Sequence, residues 1–228
     1  MGTSEKIDMV VVFDLDDTLY AEYDYQTSGI NAVGKAIKEL YGIDLTRQIL
    51  DWRTEGEMDL WGRACCESHL PISVKDSLLW IYRLHQPEIM LDQTTFDALA
   101  EVKLMVKEIV ILTDGRSVTQ RKKLNALGLG DVRAYISEDY QSEKPCPARF
   151  QAIMQDNPAS RYLYVADNPE KDFIAPITLG WQTIGVRGGV RGIYRQSFES
   201  LPIGSLPAKW ISSLNELKGE IERVRLPT

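Results

Sequence analysis

A short apolar run near the amino terminus restricts the fold of this chain more than any other segment. Residues Met9–Leu15 read MVVVFDL, a β-branched sequence that turns acidic at Asp14. Because polar and apolar residues do not alternate here, the run is typical of a strand covered on both faces, as in the interior of a parallel sheet. The sequence therefore predicts a buried strand with Asp14 at its carboxyl end.

Strand and helix patterns alternate from Asp92 onward. Asp92 is a favourable N-cap residue for a helix that we expect to run to about Val106. The predicted later strands are Glu108–Thr113, Ala134–Ser137, Arg161–Ala166 and Trp181–Val186. The helices between them are predicted near Thr119–Leu127, Ala148–Gln155 and Glu170–Leu179, and a last amphipathic helix at about Lys209–Val224. This alternation predicts an α/β fold with a doubly wound, Rossmann-like parallel sheet.

An all-helical segment interrupts this core directly after the first strand. From about Tyr25 to Leu91, apolar residues recur at three- and four-residue spacing, and no convincing strand is found. The segment is much longer than a usual connection between a strand and a helix, and a long insert beside a strand end is typical of a functional lid. We assign residues 1–20 and 92–228 to the α/β core and residues 21–91 to an inserted all-α domain.

Composition narrows the class of partner. The chain has 228 residues, 44% of them hydrophobic, and a formal net charge of −7. An acidic surface repels nucleic acid and anionic membranes, so neither is expected as the main partner. No apolar run reaches the ~20 residues of a membrane span, and Met1–Asp8 lacks the order of a secretion signal, so we expect a cytoplasmic protein.

Polar residues are concentrated where ligands bind in open α/β sheets, at the carboxyl ends of strands. The segments at strand ends, or on a loop between them, are Asp14–Asp17, Thr113–Gly115, Asp167–Asn168 and Lys144–Pro145. Carboxylates gathered in one crevice repel one another unless a hard cation neutralises them, and Mg²⁺ prefers oxygen ligands. We therefore predict a magnesium site. With a metal and a lysine drawing a phosphate towards Asp14, its carboxylate can attack phosphorus, while Asp16 protonates the leaving oxygen and later activates water.

These motifs, in the order DLDDTLY, TDG, KP and DNPEKD, resemble the four motifs of phosphatases of the haloacid dehalogenase-like (HAD) superfamily. The resemblance extends from about Met9 to Val186. It implies that Asp14 is the nucleophile and a magnesium ligand, and that Asp16 is the acid/base and gives the metal its backbone carbonyl. It further implies that Asp167 is the third protein ligand of the metal.

The remaining motif residues take roles from the same resemblance. Thr113 and the backbone N–H of Asp114 would hold phosphate oxygens, Lys144 would neutralise the nucleophile and the phosphate, and Asp172 would orient Lys144 or a metal-bound water. Many members carry Gly where this chain has Asp17 and Asn where it has Asp114. The extra charge of Asp114 is expected to weaken phosphate binding unless only its backbone makes the contact.

The insert resembles the helical (C1-type) cap of one branch of the superfamily, which closes over the active site and expels water. Aromatic residues at helical spacing are more often core than substrate contacts, so the candidates are weak: Tyr20, Tyr23, Tyr25, Trp52, Arg53, Trp61 and Arg63. His69 and His85 are expected to be ordinary surface or helix-end residues.

Two basic features near the predicted site have open roles. Arg116 follows the TDG turn and would contact substrate or solvate the start of a helix. The Arg187–Gly192 loop (RGGVRG), with its glycines and two arginines, is a candidate for a second anion site. It lacks the strand, loop and helix context of a nucleotide-phosphate loop, so an ordinary connecting loop is the preferred interpretation.

The preferred function is hydrolysis of a small phosphorylated metabolite, such as a sugar phosphate or a nucleotide, by a monomer or homodimer. A phosphomutase of the same superfamily stays open, and Asp16 weighs against a 2-haloacid dehalogenase, which attacks carbon without magnesium. A phospho-accepting receiver protein is the alternative from another class. Receivers place the acceptor aspartate on a later strand and lack a long helical insert.

Overall fold

The computed structural model describes residues 5–188, 201 and 204–225. The strands in these ranges are β1 (Ile7–Phe13), β2 (Val106–Thr113), β3 (Ala134–Ile136), β4 (Arg161–Ala166), β5 (Gln182–Val186) and β6 (Lys209–Ile211). They form one six-stranded sheet in the order β3-β2-β1-β4-β5-β6, and every pairing is parallel. The predicted Rossmann-like α/β fold is confirmed.

Strand β1 occupies the position on which the site depends. It pairs with β2 on one side and with β4 on the other, so the strand order reverses at its edge. In sheets of this kind the crevice at such a reversal, beyond the carboxyl ends of the strands, is where ligands bind. Asp14 is the first residue after β1 and therefore lies at this crevice.

Apolar layers cover β1 on both faces. Met9, Val11 and Phe13 belong to one buried cluster and Val10 and Val12 to the other, and all five side chains have no solvent exposure. This burial confirms the prediction of a strand in the interior of a parallel sheet, and it explains why the run contains no polar residue before its end.

Helices cover the sheet and build the insert. The insert contains α1 (Glu22–Tyr41), α2 (Thr46–Thr54), α3 (Leu60–Glu67) and α4 (Val74–Leu84). The later helices are α5 (Gln93–Met105), α6 (Ser117–Ala126), α7 (Ser137–Tyr140), α8 (Ala148–Asp156), α9 (Ile174–Thr178) and α10 (Leu217–Arg225). None of the described helices combines the length and apolar character that crossing a membrane requires.

The four helices of the insert bury an apolar cluster of their own. Its members include Ile30, Val33, Ile49 and Trp61, which are almost fully buried. All four helices lie between β1 and β2 in the chain, in keeping with the predicted insert at residues 21–91. Its status as a separate domain stays a prediction.

The start of α5 shows how local sequence determines a helix boundary. The side chain of Asp92 accepts a hydrogen bond of 2.7 Å from the backbone N–H of Thr95. This satisfies one of the first N–H groups of the helix, which have no partner within the helix itself. The prediction of Asp92 as the N-cap residue is confirmed.

The prediction of one helix over Lys209–Val224 is wrong in its first half. Lys209–Ile211 is strand β6, which pairs with β5 at the sheet edge. A 3₁₀ turn at Leu214–Glu216 follows, with a capping box formed by Ser213 and Glu216, and α10 begins only at Leu217. Pairing with a distant strand therefore overrides the local helical pattern.

Two other expectations change in detail. The helix predicted at Glu170–Leu179 begins only at Ile174, because Asn168 and Asp172 hydrogen-bond to backbone groups of the preceding turn. His85 ends α4 as expected, but it is buried and not at the surface, with Nε2 3.0 Å from the Ser28 hydroxyl. Most of the Arg187–Gly192 loop lies outside the described residues.

The contact between β5 and β6 gives a testable prediction. A Cβ atom added at Gly185 would lie 2.4 Å from the Trp210 ring, so we expect Gly185→Ala to lower the free energy of unfolding by about 1–3 kcal/mol. A Cβ at Gly219, on the exposed face of α10, meets nothing within 4 Å. Gly219→Ala should therefore raise the free energy of unfolding by about 0.5–1 kcal/mol through helix propensity. Urea unfolding measures both; shifts of the same sign would contradict this account.

Candidate active site

Asp14 is fixed at the end of β1 by the neighbouring strand. Its backbone N–H donates a hydrogen bond of 2.9 Å to the carbonyl of Val165 in β4. The side chain is buried, with an exposed fraction of 6%. Burial raises the pKa of Asp14 to about 6, against the opposing effect of the Lys144 ammonium group. A carboxylate in this position is dry and close to a cation.

Lys144 connects two of the buried carboxylates. Its Nζ atom lies 2.8 Å from Oδ1 of Asp14 and 2.6 Å from Oδ1 of Asp172. It also lies 3.3 Å from the hydroxyl of Tyr164 in β4. Burial lowers the pKa of Lys144, but Asp14 and Asp172 outweigh it and raise that pKa well above its usual value. The structure thus brings these three predicted residues together around a permanent positive charge.

Three carboxylates converge beside this lysine. Oxygen atoms of Asp14, Asp167 and Asp172 lie within 4.8 Å of one another among the described residues. Burial, then the charges of Asp14 and Asp172, raise the pKa of Asp167 to about 8. Such mutual repulsion is what a bound cation relieves, and an all-oxygen donor set suits Mg²⁺. The geometry therefore fits the predicted cofactor.

Both carboxylate oxygens of Asp172 have partners within the protein. Oδ1 contacts Lys144 and Oδ2 accepts a 2.9 Å hydrogen bond from the backbone N–H of Asn168. Asp167 accepts a hydrogen bond of 3.1 Å from Thr18 on one oxygen. Asp172 therefore holds the lysine in place, and the assignment of Asp14 and Asp167 as metal ligands stays a prediction.

The Asp16 carboxylate is bound by Tyr20 and by two side chains of α6. Its Oδ1 accepts hydrogen bonds from Lys123 at 2.7 Å and Tyr20 at 2.5 Å, and its Oδ2 accepts one from Gln120 at 3.0 Å. Burial raises the pKa of Asp16, but Lys123 and the hydrogen bonds from Tyr20 and Gln120 outweigh it, so the pKa lies below its usual value. The predicted role of its backbone carbonyl as a metal ligand stays a prediction.

Asp17 lines the site and also supports the loop that follows β1. Its Oδ1 accepts a 2.9 Å hydrogen bond from the backbone N–H of Glu22 and so satisfies the start of α1. Its φ of 55° lies in the left-handed region, which favours glycine and tolerates aspartate. This conformation explains how Asp17 substitutes for the glycine of many members.

Asp114 is paired with cations that the sequence reasoning missed. Its side chain binds the guanidinium group of Arg149, which has no solvent exposure, and lies 3.4 Å from Nζ of Lys171. Arg149 also donates to the carbonyls of Thr113 at 2.8 Å and Tyr135 at 3.2 Å. The negative charge of Asp114, which was expected to weaken phosphate binding, is thus balanced by the adjacent cations Arg149 and Lys171.

A polar cavity of about 320 Å³ unites the motif residues. It is lined by the six motif residues predicted to hold the phosphate or the metal: Asp14, Asp16, Thr113, Asp114, Lys144 and Asp167. Asp172 lies just behind this surface with no solvent exposure. Glu22 and Lys171 also line the cavity, and neither was singled out from the sequence. The sequence gives little indication of this location, because a single charged residue in a loop or in the first turn of a helix usually faces solvent.

The candidates for substrate contact in and beside the insert do not line this cavity in the described structure. Tyr20, Tyr25, Trp52 and Trp61 are buried. The guanidinium group of Arg53 stacks on Tyr23 at 4.0 Å, and that of Arg63 stacks on Trp52 at 4.4 Å.

Arg116 and His69 lie outside the group of motif residues. Arg116 precedes α6 and forms an exposed ion pair of 2.7 Å with Glu138. His69 is exposed in the turn after α3, as expected.

Comparison with known proteins agrees with this site. The sequence model of the haloacid dehalogenase-like hydrolases matches residues 9–180. The chain belongs to this family of enzymes, and the resemblance seen in the motifs is confirmed. No match was found among curated protein sequences.

Solved structures share the fold over nearly the full chain. YfnB of Bacillus subtilis, a HAD hydrolase bound to magnesium, is 17% identical with a TM-score of 0.63 and covers 95% of this chain and 99% of its own. A 2-haloacid dehalogenase from Pseudomonas syringae is 16% identical, with the same TM-score and coverage. A predicted phosphoglycolate phosphatase from Haemophilus somnus is 16% identical with a TM-score of 0.61 and covers 93% and 97%. At these identities the likeness establishes the fold.

The buried pair of Asp114 and Arg149 gives a prediction about stability. Asp114→Asn should lower the free energy of unfolding by about 2–3 kcal/mol, because Arg149 keeps its charge in a buried place without an anionic partner. In an Arg149→Met background the same change should have much less effect, since the charge to be compensated is gone. A double-mutant cycle by urea unfolding measures the coupling, and additive effects would contradict the pairing.

Proposed function

We propose that this protein is a Mg²⁺-dependent phosphomonoester hydrolase that acts on a small phosphorylated metabolite through an aspartyl-phosphate on Asp14. The observation that carries the proposal is the buried Lys144, which contacts both Asp14 and Asp172 beside a small polar cavity. An ammonium group there neutralises an incoming phosphate and its nucleophile together. A predicted phosphoglycolate phosphatase is among the proteins that share the fold.

The first half of the reaction uses Asp14 and Asp16. A carboxylate oxygen of Asp14 attacks phosphorus and the bond from phosphorus to the leaving oxygen breaks. Asp16 gives that oxygen the proton that it took from the water consumed in the preceding turnover. The substrate leaves as an alcohol and Asp14 carries the phosphoryl group. Thr113 and the backbone N–H of Asp114 hold the phosphate oxygens in this proposal.

The second half consumes water. Asp16 takes a proton from a water molecule, whose oxygen attacks the phosphorus on Asp14 and releases inorganic phosphate. Mg²⁺, held by Asp14, Asp167 and the backbone carbonyl of Asp16, would neutralise charge on the transferred group. Lys144, kept in place by Asp172, lowers the repulsion between Asp14 and the anionic substrate.

The insert is proposed to act as a cap over this site. Glu22, the first residue of α1, lines the cavity, and burial together with Asp16 raises the pKa of Glu22 to about 7. Helix α4 packs against α6 of the core, so the insert lies against the same side as Asp16. A cap placed there excludes water and supplies substrate contacts.

The nucleophile and the metal can be tested together. Asp14→Asn should reduce Mg²⁺-dependent hydrolysis of p-nitrophenyl phosphate by about 10³-fold or more, because the amide cannot form the acyl phosphate. EDTA should abolish wild-type turnover and Mg²⁺ should restore it. Asp131→Asn, the same chemical change at an exposed position, serves as the control. Full activity in Asp14→Asn, or activity indifferent to EDTA, would exclude the mechanism.

Acid-quenched wild-type protein should carry phosphate on Asp14, detectable by mass spectrometry after digestion. A panel of metabolite phosphates, assayed for released inorganic phosphate, then identifies the substrate class. Phosphoenzyme that passes its phosphate to a sugar phosphate instead of water would identify a phosphomutase. Halide release from a 2-haloacid without Mg²⁺ would identify a dehalogenase.

Lys171 is expected to contribute to substrate affinity. It lines the cavity, and its ammonium group faces Asp114 at the phosphate end. Lys171→Met should raise KM for a phosphomonoester about tenfold with little change in kcat, because an attraction present in both ground and transition state is lost. Lys103→Met, the same change at an exposed position of α5, is the matched control. An unchanged KM would remove Lys171 from the binding site.

A further inference from the structure

Helix α6 carries a buried lysine that does not line the cavity. Lys123 has an exposed fraction of 2%, yet its Nζ lies 2.7 Å from Oδ1 of Asp16. Taking an ammonium group out of water is costly unless it is paired. The partner it has found is the proposed acid/base of the reaction.

Two further donors complete the contacts of the Asp16 carboxylate. Tyr20 donates to the same oxygen as Lys123, and Gln120 donates to the other oxygen at 3.0 Å. The Gln120 amide also donates to the carbonyl of Asp114 at 2.6 Å, and this links Asp16 to the phosphate end of the cavity. A carboxylate bound on both oxygens cannot rotate freely, so its orientation is determined by these three side chains.

Glycine at position 115 makes room for this arrangement. A Cβ atom at Gly115 would lie 2.6 Å from Nε2 of Gln120, and the φ of 136° disfavours other residues. The glycine of the TDG motif thus lets the Gln120 amide reach both Asp16 and the Asp114 carbonyl.

Lys123 also contacts the insert. Its Nζ lies 4.3 Å from the centre of the Tyr25 ring and 3.9 Å from Oε1 of Glu22, and both residues belong to α1. Cation–π contact and ion pairing therefore join the insert to the same ammonium group that holds Asp16. The acid/base and the insert share one anchor.

We propose that Lys123 is a positioning residue that orients the Asp16 carboxylate for proton transfer to the leaving oxygen and couples this orientation to the seating of the insert. The inference rests on the proposed phosphatase function. Lys123 acts through Asp16 and does not touch substrate.

The dependence of rate on the leaving group separates this role from a purely structural one. Phenyl phosphate and p-nitrophenyl phosphate have nearly the same shape, but phenolate is the more basic leaving group and needs the proton more. The ratio kcat/KM reports the steps up to departure of that group. Comparing two substrates on one protein preparation removes any effect of the folded fraction.

Lys123→Met should lower kcat/KM for phenyl phosphate about tenfold more than for p-nitrophenyl phosphate, because proton transfer is then poorly aligned. Lys122→Met, the same change one residue earlier on α6, should leave the relative rate of the two substrates as in wild type. Lys123→Arg keeps the charge, so it should bring the relative kcat/KM of the two substrates part of the way back to the wild-type value. Asp16→Asn should give the largest rise in the p-nitrophenyl phosphate to phenyl phosphate ratio of kcat/KM, and adding Lys123→Met to it should change that ratio no further.

Equal losses for both substrates in Lys123→Met would overturn the positioning role while leaving the phosphatase function intact. A further change of the ratio in the double variant would also overturn it, because Lys123 would then act without Asp16. Wild-type protein that hydrolyses neither substrate with Mg²⁺ would overturn the proposed function and, with it, this inference. The three failures are therefore distinguishable.

Discussion

A single buried ammonium group organises the carboxyl end of the sheet. The Nζ of Lys144 lies within 2.8 Å of carboxylate oxygens on both Asp14 and Asp172, from segments far apart in the chain. Without a cation, three buried carboxylates at this edge would repel one another and favour protonation. The loops after β1 and β4 and the loop that carries Lys144 are thus held together by electrostatics, and the apolar layers beneath them supply the low dielectric that makes this attraction strong.

Much of the fold could be predicted because its signals are local. The apolar run of β1 requires cover on both faces, and Asp92 caps α5 with its own side chain. Strand β6 could not be found in this way. It has three residues, Lys209–Ile211, and their extended conformation depends on pairing with β5 and on packing of Trp210 over Gly185. The local sequence pattern shows neither of these contacts, but it does show the helical periodicity of the residues that follow β6.

The same distinction applies to the site. Residues at strand ends, such as Asp14 and Asp167, could be predicted because parallel strands bring their carboxyl ends to one edge. Lys123 and Arg149 lie on helices, where a charged residue among polar neighbours normally faces water. Their burial follows from contacts with Asp16 and Asp114, residues more than thirty positions away in sequence. The order of the motifs in the sequence identified the residues proposed for the chemistry. The residues that hold them in place, Lys123 and Arg149, can be identified only in the folded structure.

The insert has an apolar core of its own, and Tyr82 packs against both that cluster and the cluster beneath the sheet, to which Tyr25 of α1 belongs. Where the chain leaves the insert, the backbone N–H of Glu88 donates to Ser28 of α1, so entry and exit lie side by side. β1 and β2 are neighbours in the sheet regardless of what joins them. Substitutions within the cluster that the four helices bury among themselves can therefore change the insert while the pairing of β1 with β2 stays in place.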